Sequence, residues 1–175
     1  NDHVNLGQSS NDVIPTAIHV AGIKLIYNDL IPSLLHLKEE IDKKSREFMS
    51  VVKTGRTHLQ DATPIRLGQE FIGYSGQIER GIEHMHYSAK SLSELAIGGT
   101  AVGTGVNTHP EFAKTVCINL SKMIESPVRE TDNHFQAQSS IDTVVHCSGV
   151  LKTVAISLMK IANDIRWLGS GPRAG

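Results

Sequence analysis

The 175-residue sequence has few aromatic residues and no excess of charge of either sign. Aromatic side chains make up 5% of the chain, and the formal net charge is −1 at pH 7. Such a surface does not favour nucleic acid or an anionic membrane, so we expect neither as a partner. No uninterrupted apolar run approaches the roughly 18 residues that a membrane-spanning helix needs. We therefore expect no membrane segment.

Cysteines are also few, and no metal-binding pattern is present. Cys117 and Cys147 are the two cysteines, and both lie in apolar-periodic segments without the spacing of metal ligands. We expect two buried thiols in a reducing compartment. His84 and His86 are two residues apart on a predicted helix, so they point to different faces and cannot share a metal there. The first ten residues lack the basic and apolar regions of a signal peptide.

Apolar residues recur at helical spacing over most of the chain. The first helical segment opens near Asp12 and Pro15, and Pro32 is expected to kink or split it. The second follows Thr63-Pro64, which the sequence predicts as N-cap and first turn. Its pattern continues for about thirty residues, which corresponds to a rod of roughly 45–50 Å.

Two further helices complete the predicted fold. One begins at His109-Pro110, and the other runs from 141 to 168. Strand alternation is absent apart from a weak signal at 51–53, so we predict an all-α, long-helix bundle with one domain over residues 1–175. A rod of such length exceeds a globule with a radius of gyration of about 16 Å, which favours oligomerisation.

The glycine cluster "GGTAVGTG", residues Gly98 to Gly105, resembles a phosphate-binding loop only superficially. It follows a helix, and it lacks both the Lys-Ser/Thr pair and the third glycine of the dinucleotide pattern. A nucleotide site is not expected. The cluster is typical of a helix end with positive φ angles and close backbone approach, or of a loop that faces a ligand.

Two polar segments carry the candidate site residues. In "GQSSNDV", the residues Ser9, Ser10 and Asn11 either cap a helix or present donors to an anionic ligand at its N-terminus. In "GRTHLQDATP", a turn and cap would explain the residues that follow His58 but not His58 itself. Imidazole is the side chain best suited to proton transfer near neutral pH, and Thr57 beside it offers a hydroxyl.

Four segments together resemble the class II fumarases, a family of the fumarase/aspartase superfamily. They are, in chain order, "NDHVNLGQSSND", "GRTHLQDATPIRLGQEF", "GGTAVGTGVNTHPEF" and "SLMKIANDIRWLGSGPR". The resemblance covers the whole chain. It implies the central helical domain of that superfamily, assembled as a homotetramer whose active sites are shared between subunits. It also implies reversible hydration of fumarate to L-malate in the tricarboxylic acid cycle, with no metal and no organic cofactor.

The resemblance assigns roles to the polar residues singled out above. It makes Ser9, Ser10, Asn11 and Thr57 ligands of a substrate carboxylate. His58 corresponds to the family's proton donor and acceptor, which acts on the water or the departing hydroxyl. Preorganised hydroxyls, amides and helix N-termini would stabilise the dianionic aci-form of the substrate without a metal.

Two family features are incomplete in this sequence. Asn1 and Asp2 resemble a turn that forms a second, non-catalytic dicarboxylate site, but the family's preceding histidine is absent. The signature loop "GSSxMPGKxN", which supplies a proton-abstracting serine in the family, is also absent. The sequence therefore resembles a central fragment, and we expect it to be inactive alone. The resemblance implies a cytoplasmic protein, or one of the mitochondrial matrix in a eukaryote.

Two other functions remain open at this point. Aspartate ammonia-lyases share the "SSND" start, but glutamine usually follows their "GRT" threonine where this sequence has His58. A leaving ammonium does not need a protonating imidazole, which gives that difference a chemical reason. A non-catalytic helical assembly module is the third reading, and an absence of dicarboxylate affinity would favour it.

Overall fold

A computed structural model describes residues 2–172, and 65% of it is helical. This confirms the predicted all-α class, with a few short strands added. The elements in chain order are α1 (Ser10–Leu25), a π-helical turn (Ile26–Leu30), α2 (Ile31–Glu47), a 3₁₀ turn (Phe48–Ser50), β1 (Val52–Thr57), β2 (Gln60–Arg66), α3 (Leu67–Leu92), β3 (Glu94–Leu95), α4 (Phe112–Met123), β4 (Arg129–Glu130), α5 (His134–Ser139) and α6 (Asp142–Leu168).

The chain divides into two compact units. The first unit comprises Asn1–Leu30 and Met85–Gly149, and the second comprises Ile31–His84 and Val150–Gly175. One boundary lies between the π-helical turn and α2, and the other two fall within α3 and α6, so each of these two helices contributes residues to both units.

Each unit has its own apolar core. In the first unit the most deeply buried large apolar side chains are Ile23, Met85, Leu92 and Leu95. In the second, Phe71 contacts Phe48 and Tyr74 edge to face, with ring centroids 5.2 and 5.3 Å apart. The remaining buried apolar residues of the second unit are Ile31, Leu34, Ile41, Ile78, Ile82, Val154 and Ile161.

The π-helical turn lies where the sequence predicted an interruption at Pro32. Proline has no N–H, and its ring would meet the carbonyl group four residues earlier, on Asn28. Asn28 lies within the Ile26–Leu30 turn, where the wider helical path displaces that carbonyl. The interruption is therefore a local widening between α1 and α2.

The β1–β2 hairpin was not predicted by the sequence pattern. Its strands pair antiparallel from Val52↔Arg66 to Thr57↔Gln60, with an irregularity at Gly55. The expectation that Thr63-Pro64 would open the next helix is wrong, because both residues lie in β2 and α3 begins at Leu67. Pairing with β1 satisfies the backbone of this segment, which outweighs its local helix-start signal.

Predictions for the remaining helices are largely confirmed. α6 matches the expected range closely, whereas α3, with 26 residues, is somewhat shorter than expected. α4 begins three residues after His109, whose Nδ1 accepts from the backbone N–H of Glu111. The short helix α5 was missed, and Asn133 caps it by accepting from the N–H of Gln136.

Both cysteines are buried and unbridged, as expected. Cys117 is 3% exposed and Cys147 is 7% exposed. Burial, with a smaller contribution from the Glu130 carboxylate, raises the pKa of the Cys117 thiol to about 11. A thiol with such a pKa is inert at neutral pH, which agrees with a packing role.

One helix of the described residues, α6, has the length and apolar composition of a membrane-spanning segment. Its most apolar 18-residue window has a mean hydropathy of 1.4, and 17% of that window is buried. Lys152 and Lys160 interrupt the apolar residues of α6, so the expectation of no membrane segment stays a prediction.

Candidate active site

The first turn of α1 holds the three candidate residues of the N-terminal segment. Ser9 is the N-cap, with an extended backbone, and its Oγ accepts from the N–H of Asn11 at 3.2 Å. The Ser9 N–H donates to Asp12 Oδ1 at 2.9 Å, which completes a capping box. Ser10 and Asn11 are exposed in this turn, at the end of the helix where the dipole is positive.

Asp12 connects this turn to the glycine-rich segment Gly98–Gly105, called here the glycine loop. Its side chain is fully buried. Oδ2 accepts from the N–H groups of Gly98 and Thr100 at 3.1 and 2.9 Å. Sequence reasoning treated Asp12 only as a helix-start residue. The serine–x–x–aspartate spacing signals a capping box, but it carries no information about a partner 86 residues away.

The glycine loop has the backbone conformation that its composition indicated. Gly98, Gly103 and Gly105 have φ angles of +98°, +90° and +68°. A Cβ on Gly98 would lie 2.5 Å from the Cβ of Ala113, so close approach also requires glycine there. These observations confirm the prediction of positive φ angles and close backbone approach.

A cavity of about 550 Å³ lies beside the first turn of α1. Ser10 and Asn11 form part of its polar wall, and Ala101 and Val102 of the glycine loop contribute another side. Asn11 Nδ2 donates to the carbonyl oxygen of Ala101 at 2.7 Å, so the amide is held in a fixed orientation. Most of the remaining lining is apolar, so the groups that could bind a carboxylate are concentrated at the first turn of α1.

A second cavity, of about 330 Å³, lies on another part of the glycine loop. Glu130 and His134 line it, and their Oε1 and Nε2 atoms are 2.9 Å apart. His134 Nδ1 is 3.1 Å from the carbonyl oxygen of Ala96, so both ring nitrogens face acceptors. The His134 ring also lies next to Gly99, so the Glu130–His134 pair packs against the start of the glycine loop.

Thr57 and His58 lie at the tip of the hairpin in the second unit. Thr57 pairs with Gln60, so His58 and Leu59 are the two central residues of the turn. Their φ angles are +53° and +59°, which is the type I′ geometry that normally selects Asn-Gly. Both side chains are exposed. Bulky residues in the left-handed region store strain, a feature that clusters at functional sites.

The candidate residues thus fall into two groups. Ser9, Ser10 and Asn11 are brought together in the first unit, whereas Thr57 and His58 are adjacent in the second.

The remaining candidate positions lie near the start of the chain. Asp2 is exposed in a turn, and Asn1 lies outside the described residues, so the second dicarboxylate site stays a prediction. Across residues 2–172, His, Cys, Asp and Glu form no group of three that could hold a metal ion.

Comparison with known proteins places these features in a family. The lyase family matches residues 1–175. The chain is 55% identical over 175 residues to a class II fumarate hydratase of Nitrosomonas europaea and 53% identical to a mitochondrial fumarate hydratase of Saccharomyces cerevisiae. All of this chain is matched, but only 38% and 36% of those two relatives.

Solved structures give the same result for the fold. The crystal structure of a recombinant class II fumarase from Schistosoma mansoni superposes with a TM-score of 0.94 and 37% identity. The match covers 100% of this chain and 40% of that one. The resemblance read from the four sequence segments is therefore confirmed, and the chain belongs to the lyase family.

Proposed function

We propose that the complete gene product carrying these 175 residues is a class II fumarate hydratase. It interconverts fumarate and L-malate, and this chain contributes part of the active site. The observation that supports the proposal most strongly is the 55% identity to a fumarate hydratase over all 175 residues. The strained, exposed position of His58 agrees with it. Both units of the chain would then belong to one central helical domain.

The proposed chemistry needs a carboxylate site and a proton donor. When L-malate is dehydrated, its C3 proton passes to a base, and the electron pair of that C–H bond forms the double bond. The C2 hydroxyl leaves as water after it receives a proton, a role that we assign to His58. Ser9, Ser10, Asn11 and Thr57 would bind carboxylate groups.

The geometry at α1 supports the carboxylate-binding role. Ser10 and Asn11 occupy the first turn of the helix, where their side-chain donors and the helix dipole favour negative charge. Charge develops on the substrate carboxylate when C3 loses its proton. Donors fixed in advance stabilise that charge without reorganisation, and no metal or cofactor is needed for this step.

The base that removes the C3 proton is not assigned to this chain. The family's serine lies in the "GSSxMPGKxN" loop, and these 175 residues do not contain that motif. We therefore expect the 175-residue chain to lack turnover by itself. Steady fumarate production from L-malate by the purified chain would contradict this expectation.

Substrate choice tests the proposal against its main alternative. The complete gene product is assayed by fumarate absorbance with L-malate and, separately, with L-aspartate. Fumarate from L-malate alone supports the hydratase. Fumarate from L-aspartate alone would show an aspartate ammonia-lyase. Absence of both activities and of dicarboxylate binding would leave a helical assembly module.

We also propose that the protein is a homotetramer built around α6. This helix exposes large apolar side chains, among which Ile156 and Met159 are 50% and 60% exposed. A bilayer would cover this apolar face less favourably than another protein chain. Lys152 lies near the middle of α6, and a central lysine costs about 2.5–3.5 kcal/mol in a bilayer. A second copy of the chain covers such a face without this cost. The location would be the cytoplasm, or the mitochondrial matrix in a eukaryote.

Light scattering on the complete gene product tests the assembly. We expect a tetramer for the wild type and smaller species for Ile156→Glu, because a charge is placed on the covered face. Lys114→Glu, on the exposed side of α4, is the matched control and should remain tetrameric. A wild-type monomer, or an unchanged mass for Ile156→Glu, would contradict the proposed interface.

A further inference from the structure

The buried carboxylate of Asp12 holds two separate segments of the first unit. Its oxygens accept three backbone N–H groups, from Ser9 on one side and from Gly98 and Thr100 on the other. The side chain is 0% exposed. A carboxylate at such a position is tolerated only when hydrogen bonds replace its hydration, and here three backbone donors do so.

The two segments form adjacent walls of the 550 Å³ cavity. Asp12 directly follows Ser9, Ser10 and Asn11 in the chain, while Thr100 directly precedes Ala101. A second tie joins the same walls, because Asn11 Nδ2 donates to the Ala101 carbonyl oxygen at 2.7 Å. The orientation of the Asn11 amide thus depends on where the glycine loop places that carbonyl.

The glycine loop does not hold this conformation by its own preference. Thr100 has a φ angle of +56°, which is unusual and strained for a β-branched residue. Two contacts keep it there. Its N–H donates to Asp12, and its carbonyl oxygen accepts from Gln138 Nε2 at 2.7 Å. Loss of the Asp12 contact would let Thr100 relax to a negative φ angle and would move Ala101.

We propose that Asp12 is a positioning residue for substrate binding. Its carboxylate locks the first turn of α1 to the strained glycine loop, and this lock sets the positions of Ser10 and Asn11. The inference rests on the proposed function, in which those two side chains bind a substrate carboxylate. Asp12 itself is buried behind them and does not touch the substrate.

Asp12→Asn is the informative variant, because it keeps the size and shape of the side chain. An amide has one acceptor oxygen, so at least one of the three N–H groups loses its partner. Ile23→Ala is the matched control. It removes a buried side chain near the other end of α1 and leaves the carboxylate in place.

Steady-state kinetics on the complete gene product separates positioning from stability. At a temperature where each variant is folded, we expect Asp12→Asn to raise the KM for L-malate by about 10- to 100-fold, since small displacements of binding groups have effects of that size. Ile23→Ala should leave the KM within about twofold of wild type, because it leaves the binding groups in place. Equal KM values for Asp12→Asn and wild type would overturn the proposal.

Hydrogen–deuterium exchange tests the lock without reference to activity. Peptides covering 96–102 should exchange about tenfold faster in Asp12→Asn than in wild type, whereas Ile23→Ala should leave them unchanged. Unchanged exchange in Asp12→Asn would overturn the lock even if the enzyme is a hydratase. Faster exchange in Asp12→Asn than in wild type, together with a wild-type protein that lacks hydratase activity, would support the lock and refute the proposed function.

Discussion

Gly99 and Gln138 are predicted to be a coupled pair in the wall of the glycine loop. A Cβ built on Gly99 would overlap Gln138 Oε1 and would lie 2.9 Å from Gln138 Cδ and 3.0 Å from His134 Nδ1. The Gln138 side chain cannot simply leave, because its Nε2 donates to the Thr100 carbonyl oxygen at 2.7 Å. Gly99→Ala therefore overpacks this site, at a cost of about 1–3 kcal/mol of the free energy of unfolding.

Removal of the obstructing side chain should relieve the cost. Gln138→Ala alone loses one hydrogen bond, worth about 0.5–1.5 kcal/mol. In the double variant the new methyl group no longer meets the Gln138 amide, and His134 Nδ1 at 3.0 Å is the remaining close contact, so most of the Gly99→Ala loss should disappear. The coupling free energy between the two substitutions is then about 1–3 kcal/mol in the favourable direction.

Urea unfolding followed by circular dichroism measures this cycle, at one protein concentration because assembly shifts apparent stability. Gly76→Ala is the control for the general effect of alanine in place of glycine. Its Cβ would meet nothing within 4 Å, so it should be neutral or stabilising by up to about 1 kcal/mol in the isolated chain. Additive losses in the cycle would refute the inferred clash with Gln138.

Two further predictions concern the second unit. Burial, followed by the carboxylates of Asp164 and Glu70, raises the pKa of Tyr74 well above its ordinary value near 10. Unfolding then releases a proton above pH 10, so the stability that Tyr74 contributes is complete below pH 10 and falls as pH rises. In a titration followed by absorbance at 295 nm, one tyrosine of the folded protein should ionise at a higher pH than free tyrosine. Tyr74→Phe should remove that high-pH step. Leu59 is 87% exposed with a φ angle of +59°, so Leu59→Gly should stabilise the chain by about 1 kcal/mol in a urea titration. A loss of stability there would show that Leu59 makes a contact that offsets its strain.

The sequence pattern predicted the long helices but did not predict the β1–β2 hairpin. α3 and α6 carry apolar residues at helical spacing over many turns, and such patterns leave few alternatives. β1 and β2 contain exposed polar residues on both faces, so they show no alternation. The Thr63-Pro64 pair has a local helix-start signal, and only pairing with β1 reveals that it is a strand.

The candidate site shows the same division between local and distant information. The cap formed by Ser9 is a local pattern, and the sequence displays it directly. The partners of Asp12 are 86 and 88 residues away, and no local pattern encodes them. The role of His58 came from family resemblance. Its left-handed backbone depends on the register of the hairpin, which the sequence pattern did not reveal.

The most direct test of the central claim is the rate of L-malate dehydration by the complete gene product with and without His58. His58→Gln should lower kcat/KM by about 10²–10⁴-fold, the usual contribution of a positioned acid or base, while the circular dichroism spectrum stays that of the wild type. A His58→Gln enzyme that retains kcat/KM within a few-fold of wild type would contradict the assignment of proton transfer to the hairpin tip.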